Sequence, residues 1–251
     1  MQSNSFRIGF PNLVCAKPIL FLLQTKLKDN SFFNFNFESE LIAPNYSFDL
    51  ALVSPFIYAK YFSNYKVVPN ICISTFQNSK LIRLYFKEGL GFIEKLSINP
   101  NYISETIITS IIFSEQYGIT PKIIPTISNS LETMFEKSDC AIIIDENLDE
   151  NFQKKFIDLS EFWMDIFEYP LINKVLICSE KFAESDEIKI ISNLGDEAKS
   201  FIKNLGDEKE ANYLSNFNYN LGESEVEAIQ EFFRICFYYK FLNDIPDLHF
   251  C

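Results

Sequence analysis

Short apolar runs recur along this chain, and each ends on a small or polar residue. Arg7-Ile8-Gly9-Phe10-Pro11-Asn12, Asp49-Leu50-Ala51-Leu52-Val53-Ser54, Ile71-Cys72-Ile73-Ser74-Thr75 and Cys140-Ala141-Ile142-Ile143-Ile144-Asp145 are the four clearest. They are too short for helices and mostly rich in Ile, Leu and Val, so they read as buried strands. Further strands are expected over 80–86, 95–98, 122–125 and 173–179. Helical spacing follows most of the runs. Lys17-Pro18 opens a helix with Ile19, Leu20, Leu22 and Leu23 on its apolar face, Pro18 fitting the first turn, where a missing N–H is harmless. Residues 55–62, 104–116 and 128–135 are expected as helices, the second turning Ile107, Ile108, Ile111 and Ile112 inward and ending at Gly118. Residues 30–47 are aromatic and irregular, and from 180 onward the chain reads as almost wholly helical.

This alternation falls in two blocks followed by a helical tail, which predicts an α/β protein of two lobes. The first lobe is assigned 1–90 plus 177–251, the second 91–176. In open α/β sheets ligands collect beyond the carboxyl ends of strands, where helix N-termini also point. Polar strand ends at Asn12, Ser54, Ser74, Thr75 and Asp145 therefore predict a cleft for a small anionic molecule. The pentapeptide Asn193-Leu194-Gly195-Asp196-Glu197 recurs as Asn204-Leu205-Gly206-Asp207-Glu208; two copies eleven residues apart make no solenoid and read as helix boundaries. The acidic residues of 184–210 read as a solvated helix face.

Composition narrows the function. The chain has 251 residues, 47% of them hydrophobic and 22% charged, and a formal net charge of −12. That balance is globular, and it disfavours nucleic acid as a partner, because phosphate neutralisation needs clustered Lys and Arg. The first residues lack a basic start and an apolar signal core, and no run of 18 apolar residues occurs, so a cytoplasmic protein without a membrane partner is expected. The six cysteines show no close spacing of the kind metal sites use, and Cys72, Cys140 and Cys178 lie in apolar runs, as buried reduced thiols do. No metal and no cofactor is expected. His249, the only histidine, is third from the end and is not expected to act as a general base.

Several stretches, taken in order, resemble the menaquinone-biosynthesis chorismate dehydratases of the futalosine pathway, a cytoplasmic branch of the type II periplasmic-binding-protein fold. Arg7-Ile8-Gly9 with Lys17-Pro18-Ile19 is similar to the family's first strand and helix, and residues 49–54 to its second strand. Ile142-Ile143-Ile144-Asp145-Glu146-Asn147-Leu148 is similar to its strand ending in Gly-Asp. Asp158-Leu159-Ser160-Glu161-Phe162-Trp163, with Pro170 beyond, resembles its Asp-Leu-Gly-x-x-Trp and Leu-Pro-Phe segment. Tyr213, Leu214, Tyr219, Leu221, Glu223, Glu225 and Phe232-Phe233 resemble its closing helices. The chain also departs from the pattern. Where the family has an Asn before Lys/Arg-Pro, Cys15 stands here, with Asn12 three residues earlier. The Ser-x-Gly-x-Val-x-Ser loop corresponds to 74–81, where only Ser74, Thr75 and Ser79 supply hydroxyls. The helix-opening Ser-x-Thr-Ser becomes Asn101-Tyr102-Ile103-Ser104-Glu105, and Thr-Gly-Leu-Pro-Phe becomes Phe167-Glu168-Tyr169-Pro170-Leu171. Glu105 would occupy or repel the helix end at which a carboxylate could dock.

The resemblance implies dehydration of chorismate to 3-[(1-carboxyvinyl)oxy]benzoate in an interlobe cleft. Aromatisation drives that reaction, so positioning and hydrogen-bond donors suffice. It implies Asn12, Cys15 and Ser74 as the catalytic core and Ser54, Thr75, Ser79, Asn101, Ser104 and Asp145 as substrate-binding residues, with Lys17, Lys80 and Arg83 as available cations. Cys15 is not expected to be a covalent nucleophile, since no histidine is near it in sequence. Asp158 and Trp163 read as structural. The sister dihydroxynaphthoate synthases use a histidine that has no counterpart here. A small carboxylate is the expected partner, to a monomer or homodimer. The alternative reading is a non-catalytic cytoplasmic binding or sensor protein for a small carboxylate; a transporter's solute receptor would need export.

Overall fold

The apolar runs become strands of two sheets in a computed structural model that describes residues 6–27, 31–34, 48–77, 79–88, 93–128, 130–144 and 156–251. The chain forms two units, residues 1–75 with 172–251 and residues 76–171.

In the first unit the chain runs β1 (Phe6–Gly9), a 3-10 turn (Val14–Ala16), α1 (Lys17–Leu27), β2 (Ser31–Asn34), β3 (Leu50–Val53), α2 (Pro55–Tyr61) and β4 (Lys66–Thr75). The second unit holds β5 (Ile82–Phe86), β6 (Lys95–Ile98), α3 (Ile103–Tyr117), β7 (Lys122–Pro125), α4 (Leu131–Phe135), β8 (Cys140–Ile144), β9 (Ile157–Asp158) and α5 (Leu159–Phe167). The chain then returns as β10 (Leu171–Cys178) and closes with α6 (Glu180–Ala183), α7 (Glu187–Ile190), α8 (Leu194–Lys203), α9 (Glu208–Leu214) and α10 (Glu223–Tyr238).

The strand orders are β2-β1-β3-β10-β4 and β7-β6-β8-β5-β9. Both sheets carry the same pattern. Three parallel strands, β2-β1-β3 or β7-β6-β8, are followed by one antiparallel strand, β10, by which the chain returns to the first unit, or β5, its first strand in the second. This corrects the lobe boundaries at 90 and 177. β5 pairs with β8 and β9 and so belongs to the second unit, whereas β10 pairs with β3 and belongs to the first. Apolar periodicity marks a strand as buried but does not name its neighbour.

Other boundaries shift for local reasons. β1 stops at Gly9, short of Asn12, and the helix expected from 128 begins at Leu131. β4 reaches back to Lys66 through Pro69 and Asn70, the latter at φ 62°. Proline is tolerated because β4 ends the ladder, and its outer edge is covered by two other segments. Cys72 and Ser74 donate to the carbonyls of Tyr219 and Asn218, and Val67 donates to that of His249. The closing residues are thus extended, not helical, and the backbone of His249 is pinned there.

α3 buries Ile107, Ile108, Ile111 and Ile112 and ends at Gly118 in the left-handed region. Trp163 is buried against Phe167, with ring centroids 4.3 Å apart. α5 ends at Glu168, also left-handed at φ 59°, its N–H bonded to the Met164 carbonyl. Glu168 thus holds a conformation that only glycine adopts without strain. Glu168→Gly is therefore expected to stabilise the protein by about 1 kcal/mol, read as a raised midpoint in urea at unchanged slope.

Candidate functional site

In the first unit the polar residues gather where β3 ends and β10 begins. Ser54 follows β3, and its Oγ accepts from the Ile57 N–H at 3.4 Å, capping α2 ahead of Pro55. Val175 pairs with Val53, so Lys174, one residue earlier on an antiparallel strand, falls beside Ser54. Lys174 is 4% exposed, a cation buried in a strand whose eight residues are all buried. Its neighbour Asn173 is buried as well, and the Asn173 side-chain N–H2 has no hydrogen-bond partner. Buried polar groups without partners are rare in folded proteins.

Ser74 and Thr75 end β4, the other neighbour of β10, and both are fully buried. Ser74 exchanges backbone hydrogen bonds with Asn218, and its Oγ donates to Glu225 Oε1 at 3.4 Å while accepting from Asn218 Nδ2, also at 3.4 Å. Glu225 is 5% exposed. Its Oε1 also accepts from Asn218 Nδ2 at 2.8 Å, and its Oε2 accepts from the Gly222 N–H at 3.1 Å, closing the N-terminus of α10. Between Asn218 and Asn220, Tyr219 sends its hydroxyl to the Cys15 carbonyl at 2.9 Å. Residues 218–225 thus bond to β4 at Ser74 through Asn218 and Glu225, and to the Cys15 turn through Tyr219.

Cys15 is fully buried, and the turn that carries it leads into α1, while Asn12 is exposed. Lys17 is exposed and pairs with Glu210 at 2.8 Å. Burial pushes the Cys72 thiol up, and the nearby Glu225 carboxylate adds to that shift.

The second unit builds a different arrangement around the start of α5. Asp158 caps that helix, its Oδ1 accepting from the Ser160 N–H at 2.8 Å and from the Ser160 hydroxyl, its Oδ2 from the Lys80 N–H. Ser160 Oγ also lies 2.9 Å from the Gln77 carbonyl oxygen and 3.2 Å from Ser79 Oγ. Lys80 adopts φ 58°, and its carbonyl accepts from Arg83 Nε at 2.7 Å. Arg83 is 1% exposed, with its guanidinium 5.2 Å from the Phe156 ring centroid. Burial raises the Asp158 carboxyl above its ordinary range, against the lowering effect of its hydrogen bonds. Ser79 thus helps tie residues 79–81 to Asp158 and Ser160. Ser104 is buried in the first turn of α3 beside the half-buried Glu105, and Asn101 is exposed, its N–H held by Asn99 Oδ1 at 3.0 Å. Asp145 lies outside the described residues.

The sequence reading missed Glu225, Asn218 and the Asn173-Lys174 pair as chemical groups. Lys174 carried a visible signal, a polar pair inside an apolar strand. Glu225 did not, because it meets Ser74 from 151 residues away. Among the described residues no group of three His, Cys, Asp or Glu side chains is placed to hold a metal, and no helix is long and apolar enough to cross a membrane.

Comparison with solved structures identifies the architecture. Protein AF1704 from Archaeoglobus fulgidus is similar at TM-score 0.70 and 10% identity, over 96% of this chain and 100% of that one. The alkanesulfonate-binding protein SsuA from Xanthomonas axonopodis pv. citri, bound to MOPS, is similar at TM-score 0.58 and 12% identity, over 98% and 96% of the two chains. The Candida albicans CA3427 gene product, described as exhibiting the generic periplasmic binding protein structural fold, is similar at TM-score 0.55 and 12% identity, over 97% and 92%. The chain has the periplasmic-binding-protein fold. A family model described as menaquinone biosynthesis matches residues 43–238, and the chain belongs to that family. Comparison with the curated proteins finds no match.

Proposed function

We propose that this protein is a chorismate dehydratase of menaquinone biosynthesis, converting chorismate to 3-[(1-carboxyvinyl)oxy]benzoate. Family membership supports the pathway, and the contact of Ser74 Oγ with the buried Glu225 carboxylate carries the chemistry. Dehydration of the cyclohexadiene moves a proton off the ring and releases hydroxide as water. A hydroxyl backed by a carboxylate can take up that proton, while oriented donors steady the departing oxygen. In this reading Ser74, Asn12 and the Cys15 turn form the reacting end. Ser54, Thr75 and Lys174 receive a substrate carboxylate, and Ser79, Asn101, Ser104 and Asp145 are further substrate contacts. The protein acts in the cytoplasm as a monomer or homodimer, on a small carboxylate and without a cofactor, with neither nucleic acid nor membrane as partner.

Incubation with chorismate, followed by chromatography of substrate and aromatic product, tests this. Turnover is expected, and Ser74→Ala is expected to reduce kcat about 100-fold, with Asn12→Ala weakening it as well. One observation favours a second reading, a binding or sensor protein for a small carboxylate: Ser54, Ser74, Thr75, Ser79 and Ser104 are all buried. The Oγ atoms of Ser54 and Ser79 hold local backbone. Absent turnover, with thermal stabilisation by benzoate or another small carboxylate, would establish that reading instead.

A further inference from the structure

Among the described residues two buried side-chain polar atoms lack a hydrogen-bond partner, Asn173 Nδ2 and Asn220 Oδ1. Asn220 is held at the other end of its amide, where Nδ2 donates to Asp196 Oδ1 at 2.8 Å. That orphan is an acceptor on a side chain already fixed in place. Asn173 presents a donor, and it sits at the ligand end of the sheet. The ladder between β10 and β3 starts at Val175 and Val53, so Asn173 and Lys174 lie past its last paired residues, where β3 finishes. Ligands collect at that end of an open α/β sheet. Consecutive strand residues leave a sheet on opposite faces, so the two side chains approach a group standing past the end of β3 from two sides. The ammonium offers three donors and the amide nitrogen two, enough for the oxygens of an anion. A half-turn of the amide about its last side-chain bond exchanges its oxygen and nitrogen, so the donors can turn to an arriving ligand.

We infer, resting on the small-carboxylate ligand proposed above, that the Asn173 amide is a further ligand-binding group, its N–H2 donating to a carboxylate oxygen while Lys174 supplies the opposite charge. This holds whether the protein dehydrates that ligand or only binds it. The energetics of the free protein point the same way. A buried N–H2 without a partner has lost its bonds to water and gained none in return. Apart from Asn173 and Lys174, β10 is apolar throughout, and leucine has nearly the shape of asparagine without the unmet donors. The amide is therefore suited to the bound state, in which its donors are used. Stability of the free protein and affinity for the ligand pull against each other at residue 173. Removing the amide relieves an unmet donor in the one state and deletes a hydrogen bond to a charged group in the other.

The test compares the whole wild-type protein with Asn173→Leu and with Asn173→Ala, which removes the amide without adding bulk. Thermal melting without ligand, calorimetric titration with benzoate, and turnover of chorismate are measured on all three. Without ligand, Asn173→Leu is expected to raise Tm by roughly 2–4 °C, and Asn173→Ala to hold it within about 2 °C. Both variants should bind benzoate about 10- to 100-fold more weakly. Where the wild type turns over chorismate, KM should rise by the same factor with kcat nearly unchanged, since the bond is made before and during the reaction. A Tm lowered by more than about 4 °C in both variants, the mark of an amide bonded within the protein, would overturn the inference. So would an unaltered benzoate Kd and chorismate KM, or a wild type that binds neither compound. No turnover by the wild type, with benzoate binding weakened in both variants, sinks the dehydratase reading and leaves Asn173 as the carboxylate donor.

Discussion

Gly195→Ala is expected to destabilise the protein by about 3 kcal/mol and to lower Tm by about 10 °C, whereas Gly206→Ala should change stability by no more than about 0.5 kcal/mol. The two glycines hold the same place in the two copies of Asn-Leu-Gly-Asp-Glu. In the first copy Asn193 directly precedes α8 without a side-chain cap, and the first turn of that helix lies against β4 at the left-handed Asn70. A Cβ on Gly195 would stand 2.5 Å from the Asn70 carbonyl oxygen and 2.7 Å from that of Tyr219, and would overlap Asn220 Oδ1. Two of these obstacles are backbone, so relief requires α8 to lift from the strand. In the second copy Asn204 ends α8, and Asp207 caps α9 by accepting from the N–H groups of Lys209 and Glu210. Gly206 is exposed in that connection, and a methyl group added there would meet no atom within 4 Å. Paired thermal melts of the two variants check the contrast; equal shifts would refute the close approach at Gly195.

Glu225→Ala is expected to cost about 3 kcal/mol, and Glu225→Gln about 1–2 kcal/mol. The alanine removes the acceptor for the Gly222 N–H, the Asn218 amide and the Ser74 hydroxyl together. The Asn218 amide still has the Asn220 carbonyl at 2.7 Å, so the loss falls mainly on Gly222 and Ser74. Glutamine restores one oxygen but presents an N–H2 to another donor. Urea unfolding measures both. In the dehydratase reading Glu225→Gln should also reduce kcat as Ser74→Ala does, since it takes away the group that receives the Ser74 proton. Unaltered stability in Glu225→Ala would mean that the carboxylate is not buried in this network.

The strand-like runs, and the helix that ends at Gly118, were legible because they depend on neighbours in sequence. β6 and β7 fall on the expected residues, and α3 buries the four isoleucines its spacing picks out. The first half of β4 was hidden because Pro69 and the left-handed Asn70 interrupt the alternation. The places of β5 and β10 in their sheets were hidden for a different reason: an antiparallel partner is chosen by the path of the whole chain. The same limit applies to the site. Ser54, Ser74 and Thr75 stood out as polar ends of apolar strands, but the groups that engage Ser74 arrive from α10 and the segment before it. Glu225 stood out only as part of the closing-helix pattern, an acid near a helix start with no partner visible in sequence.

The position of β10 also governs the order in which this protein can be completed during synthesis. β3 and β4 have no common neighbour until residues 171–178 have been made, because β10 is the strand that separates them. The second unit, contiguous over 76–171, has all of its strands by then. A ribosome-bound chain can therefore finish the later-encoded sheet while the earlier one still presents two open edges, and premature pairing of those edges is the error this topology invites.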